Sequence, residues 1–128
     1  MIVPKYTREI PQRYRLEAGK CGCGYVAFPP RLICPECGSR KFEPINLTPE
    51  GTILSWTIVH VPAEEFNAEA PLPIAIIETP EGARLTAQVV DGDPEAIEIG
   101  AKVKLMLRRV RCEGHAGIHQ YAYKAILV

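Results

Sequence analysis

The sequence has no surplus of charge of either sign: fifteen Lys and Arg stand against fifteen Asp and Glu, and the formal net charge is zero. Phosphate neutralisation supplies most non-specific affinity for nucleic acid, so the missing basic excess argues against a chain built to bind DNA or RNA. Aromatics, at 7%, are too few for a row of base-stacking platforms. Long apolar runs are missing as well. The longest, such as Pro73-Ile74-Ala75-Ile76-Ile77, have strand length and fall far short of the ~20 residues that span a bilayer. The start, Met1-Ile2-Val3-Pro4-Lys5-Tyr6, lacks the apolar stretch of a secretory signal, so the expectation is a soluble cytoplasmic protein with no membrane partner. Histidine is scarce. His60, His115 and His119 have no acidic residue at a spacing that would assemble a nucleophile, a base and an orienting group, and Glu64-Glu65 reads as a solvated loop. The chain is therefore expected not to be an enzyme.

Cysteine is what the sequence does have. The cytosol keeps thiols reduced, so five cysteines there point to metal before disulfides. Four fall in two close pairs, Cys21/Cys23 and Cys34/Cys37, each followed by a glycine, Gly24 or Gly38. A metal knuckle turns the backbone so that two sulfurs face one ion, and glycine permits that tight turn. Two facing knuckles give tetrahedral ligation by four thiolates, which holds together a module too small for a core of its own. Cys34-Pro35-Glu36-Cys37-Gly38 has the usual spacing, whereas Cys21-Gly22-Cys23-Gly24 is one residue short. The competing reading is a ribbon that has lost its metal and keeps its thiols as small core residues. Zinc is the expected ion; iron also suits this spacing, as in rubredoxin-like redox sites, and both stay open. A site closed by four protein ligands has no open position for water, so it argues against metal catalysis. Cys112 lies in a predicted strand and reads as a buried inert thiol.

Twelve prolines and ten glycines cut the chain into short pieces without a long helical period. Arg13-Tyr14-Arg15-Leu16-Glu17-Ala18 alternates polar with apolar and reads as a strand, as does Tyr25-Val26-Ala27-Phe28 before Pro29-Pro30; residues 41–47 look extended. Thr48-Pro49-Glu50-Gly51 reads as a turn, which divides the chain into an N-terminal segment with the ribbon, residues 1–47, and a second domain, residues 48–128. There, residues 52–61 are rich in β-branched side chains, residues 62–71 have room for a helical turn but read first as a loop, and 72–79 and 83–90 are strands joined by a hairpin at Pro80-Glu81-Gly82. Residues 101–112 change facing partway, which a β-bulge near Leu107 to Arg109 would explain. The last strand, 118–128, puts Tyr121, Tyr123 and Leu127 on one face. Five strands without βαβ spacing suit a small closed antiparallel barrel, of OB type on size, with an open sandwich as the alternative. The fold class is all-β.

Taken together, Tyr14-Arg15-Leu16-Glu17, the Cys21–Gly24 knuckle, Phe28-Pro29-Pro30-Arg31 and Cys34-Pro35-Glu36-Cys37-Gly38 form one ordered pattern. Gly51-Thr52-Ile53-Leu54-Ser55-Trp56-Thr57 and Leu85-Thr86-Ala87-Gln88-Val89-Val90-Asp91 continue it. The pattern resembles the acyl-CoA-associated family made of a rubredoxin-like zinc ribbon and a C-terminal OB-fold. Gly117-Ile118-His119-Gln120-Tyr121-Ala122-Tyr123-Lys124 is most similar to the archaeal members associated with acetoacetyl-CoA thiolase and hydroxymethylglutaryl-CoA synthase of the mevalonate pathway. The resemblance implies a non-catalytic scaffold subunit that bridges those two enzymes and helps hold acyl-CoA. Coenzyme A needs basic groups for its polyanionic end. Arg31, set by the Pro29-Pro30 turn, is a candidate, with Lys20 and Arg109; Arg108 and Arg111 are further cations, and Trp56 or Tyr25 could line a groove. The alternative is a nucleic-acid-binding zinc-ribbon/OB protein, and a rubredoxin-like electron carrier is a third reading.

Overall fold

The N-terminal segment is helical where the alternating pattern from Arg13 to Ala18 predicts a strand. The computed structural model describes residues 4–128; Met1, Ile2 and Val3, which belong to the reading of the chain's start, lie outside the described residues. Two short helices come first, α1 (Lys5–Arg8) and α2 (Ile10–Arg15). Pro11 sits in the first turn of α2, where its fixed φ helps and its missing N–H costs nothing. An i,i+4 pair, Glu9 with Arg13 at 3.0 Å, spans the turn. Leu16 ends α2 in the left-handed region, at φ 49° and ψ 41°. That conformation costs a non-glycine residue about 1–2 kcal/mol, but Leu16 is only 2% exposed, and burying a leucine returns about 1.5–3 kcal/mol. Burial wins, and the strand begins only after it.

A three-stranded antiparallel sheet follows, β1 (Glu17–Cys21), β2 (Val26–Ala27) and β3 (Phe42–Asn46), with β1 in the middle. Its register sets Cys21 opposite Phe42 and Lys20 opposite Val26. Five further strands close into a barrel in the order β4-β5-β6-β8-β7: β4 (Glu50–Val59), β5 (Leu72–Glu78), β6 (Arg84–Val90), β7 (Lys102–Cys112) and β8 (His119–Leu127). Its pairings are antiparallel except for a short parallel seam between β6 and β8, through Val89↔Ala125 and Val90↔Ile126. Closure comes from β4 on β7, where Gly51 faces Val103. This is the OB-type barrel expected from strand number and length. Residues 62–71 hold a 3-10 turn, Glu64–Glu69.

Two bulges re-aim the strands. In β7 the register against β8 shifts between Arg109 and Arg111, so the extra residue is Val110, just beyond the expected stretch. In β4 a second shift falls between Ile53 and Ser55; beyond it Trp56 is 37% exposed, outside the core where an aromatic on a strand is most often found. Cys112 is also exposed, not buried, and its Sγ–H donates to the Gly114 carbonyl.

Ile53, Ile77, Val103, Leu105 and Ala125 fill the barrel, and Leu16, Ala18 and Leu47 join the same cluster, with Val26, Phe28 and Ile45 packed against it. Ribbon sheet and barrel thus share one continuous core. A Cβ on Gly51 would fall against Ile77 Cγ2 and lie 2.9 Å from the Glu78 carbonyl oxygen, so only glycine lets β4 approach β5 there. Among the described residues no helix is long and apolar enough to cross a membrane.

Candidate metal centre

Cys21 closes β1, and the chain turns back at once: the Cys21 N–H donates to the Tyr25 carbonyl (2.8 Å) and the Gly24 N–H to the Cys21 carbonyl (3.0 Å). The second turn repeats the device. The Gly38 N–H donates to the Cys34 carbonyl (3.0 Å) and the Cys34 N–H to the Ser39 carbonyl (2.9 Å). Gly24 and Gly38 take φ of 97° and 70°, the left-handed step that reverses each turn. The knuckle with one intervening residue therefore folds as tightly as the one with two, because Cys21 enters it directly from the strand end.

The four sulfurs of Cys21, Cys23, Cys34 and Cys37 all lie within 4.8 Å of one another. Cys21 Sγ is 3.4 Å from Cys37 Sγ, and Cys23 Sγ is 3.6 Å from Cys34 Sγ. Tetrahedral zinc with Zn–S bonds of ~2.3 Å puts its sulfurs about 3.8 Å apart, so the residues present fit a Cys₄ ion. Cys21 and Cys34 are buried, while Cys23 and Cys37 face solvent. Burial pushes the Cys34 thiol up, but the N–H groups of Cys37 and Glu36 and the thiols of Cys23 and Cys37 outweigh it and bring it down to about 7. Cys37 goes the other way. The Ser39 N–H lowers it, yet the Cys21, Cys23 and Cys34 thiols together with burial push it up to about 12. One thiolate is welcomed, and a second beside it is resisted unless a cation shares the space. A bound zinc would supply that charge as a structural cross-link, with all four positions taken by protein.

The basic residues expected at coenzyme A are spread over different surfaces. Lys20 lines a recess of about 630 Å³ beside the first knuckle, with Lys41 and Glu43. Arg109 lines a different recess, of about 460 Å³ on the barrel, with Arg108, Tyr121 and Lys124. Arg31 is exposed in the loop between the knuckles. Arg111 is held by Glu65 at 3.2 Å, and Lys124, itself buried, by Glu69 at 3.2 Å. A further cavity, between α2 and the start of β8, was not foreseen: Tyr6, Ile10, Tyr14, Ile118 and Tyr121 line it. No period in the sequence announces it, because α1 and α2 are each too short to show one.

Two family models match the chain. One, described as "ChsH2, rubredoxin-like zinc ribbon domain", covers residues 8–43; the other, "ChsH2, C-terminal OB-fold domain", covers residues 45–108. A "DUF35 domain-containing scaffold protein" of Methanothermobacter thermautotrophicus is 47% identical over 119 residues, covering 91% of this chain and 90% of that protein. "Benzoylsuccinyl-CoA thiolase subunit BbsA" of Thauera aromatica is 28% identical over 102 residues, covering 80% of this chain and 68% of that one. Among solved structures, a chain of an "Ltp2-ChsH2(DUF35) aldolase" superposes with a TM-score of 0.71 at 27% identity, covering 96% of this chain and 95% of that chain. From the matched ribbon and barrel and the near full-length likeness to a DUF35 scaffold protein, the chain belongs to the DUF35 family, in which a rubredoxin-like zinc ribbon precedes an OB-fold domain.

Proposed function

We propose that this protein is a non-catalytic cytoplasmic scaffold that bridges acetoacetyl-CoA thiolase and hydroxymethylglutaryl-CoA synthase and helps hold acyl-CoA between them. The observation that carries the reading is the 47% identity, over nine-tenths of both chains, to a protein named as a scaffold. The thiolase subunit and the aldolase assembly among its relatives support a thiolase-type partner. In this reading Cys21, Cys23, Cys34 and Cys37 hold one zinc ion, which fixes the ribbon and takes no part in chemistry. Residues 1–47 and 48–128 act as two modules on a common core. Lys20, Arg31 and Arg109 are the candidates for the anionic end of coenzyme A; their separation implies that at most one of these surfaces meets a given phosphate, with the partner enzymes supplying the rest of the pocket.

The bridge has a physical use. Condensation of two acetyl thioesters is unfavourable, and a second enzyme held close consumes the product before it escapes, which raises its effective concentration without new catalytic groups. The test is an affinity pull-down of the tagged protein from its native cell, with stoichiometric proteins identified by mass spectrometry. Thiolase and synthase in fixed ratio are the expected result. Recovery of replication or translation proteins, or turnover by the purified chain alone, would overturn the reading.

A further inference from the structure

The cavity between α2 and the first half of β8 measures about 220 Å³. Tyr6, Ile10 and Tyr14 form one wall, Ile118 and Tyr121 the other. These side chains stay exposed, Ile118 at 58%, Tyr14 at 45% and Ile10 at 43%, although clustered apolar side chains gain by being covered. The first wall is tied to the barrel. Tyr123 Oη donates to the Tyr14 carbonyl at 2.9 Å, which roots α2 on the barrel. The Arg13 guanidinium donates to Glu9 from Nε (3.1 Å) and Nη2 (3.0 Å) and lies 4.9 Å over the Tyr6 ring. A pre-ordered apolar socket loses little entropy when filled.

Size and charge choose the occupant. Small-molecule pockets run to ~300–1,000 Å³, so this socket is too small for a nucleotide-bearing thioester and suits one bulky side chain. Arg13, in the lining, is held by Glu9, whereas Lys5, whose Nζ lies 5.9 Å over the ring of Tyr6 in the wall, has no carboxylate partner among the described residues. The rim therefore asks for acidic groups. Gln120, also in the lining, has its side-chain Nε2 buried with no hydrogen-bond partner.

We infer that this socket receives one large apolar side chain carried on an acidic surface loop of the thiolase-type partner. The inference rests on the scaffold reading and gives it a contact. Full-length variants Ile118→Asp and Ile10→Asp, one on each wall, are compared with Ile99→Asp, which changes an isolated exposed side chain, in binding to purified acetoacetyl-CoA thiolase. Both wall variants should weaken binding about 30-fold or more, the scale of an interface anchor; Lys5→Glu should weaken it several-fold, added salt should weaken the wild type, and Ile99→Asp should change nothing. Melting temperatures equal to wild type confirm that folding is intact. Wall variants that bind thiolase as well as wild type overturn the socket and leave the scaffold standing. A wild type that does not bind thiolase overturns both. A wild type that only self-associates, losing this in the wall variants, replaces the partner with a second copy of the chain.

Discussion

Lys124 is 7% exposed on β8, and Glu69 reaches it across the barrel surface from the 3-10 turn while also accepting from Gln88 Nε2 at 2.6 Å. Burial pushes the Glu69 carboxyl up, but Gln88 and Lys124 outweigh it and hold it below its ordinary value of 4.5. A carboxyl with a depressed folded value contributes stability above its unfolded value, and that stability is lost as pH falls through the folded one. Glu69→Gln should cost about 1–2 kcal/mol near neutral pH, because the buried ammonium loses its counter-charge. It should also flatten the loss of stability below about pH 4.5, read from denaturant midpoints across pH; an acid limb as steep as that of wild type would rule Glu69 out as its source. Gly51 is as closely constrained by its neighbours. Gly51→Ala forces a methyl into Ile77 and the Glu78 carbonyl and should cost about 1–3 kcal/mol by overpacking, measured by chemical denaturation.

Among the elements, the ribbon depends most on something outside its own packing. Ala18 of its sheet joins the common core, with Leu16 and Leu47 just beyond the strand ends, while its outer end carries four crowded thiols. Removing the ion by chelation, or replacing Cys34 with serine, should unravel the knuckles. Because the core is shared, barrel melting should fall as well, and metal analysis should drop from one zinc per chain to none. A protein that carries zinc yet melts at the same temperature after chelation would contradict the shared-core account.

The barrel strands were legible because alternation is strict where one face is buried: Leu85, Ala87 and Val89 point inward along β6, with Arg84 and Thr86 outward. The two knuckles were legible because thiol pairs with a following glycine have few other uses. The helices were not. Residues 5–15 are too short for a period to emerge, Pro11 reads as a breaker when it is a first-turn residue, and Leu16 takes a positive φ that only its burial explains. The β4 bulge at Leu54 was equally hidden, since a strand merely rich in β-branched residues carries no mark of the extra residue, and beyond the bulge Trp56 emerges on the surface.

Over the whole molecule, one small core joins a four-cysteine ribbon to a closed barrel, and apolar side chains are left outside in places that the core does not require. That economy suits a part that is finished by its partners. Bridging is tested by mixing purified acetoacetyl-CoA thiolase and hydroxymethylglutaryl-CoA synthase with and without this chain and measuring the mass of the assembly by light scattering. The two enzymes should form one complex of fixed ratio only when the chain is present. Enzymes that associate equally well without it, or stay apart in its presence, would contradict the scaffold.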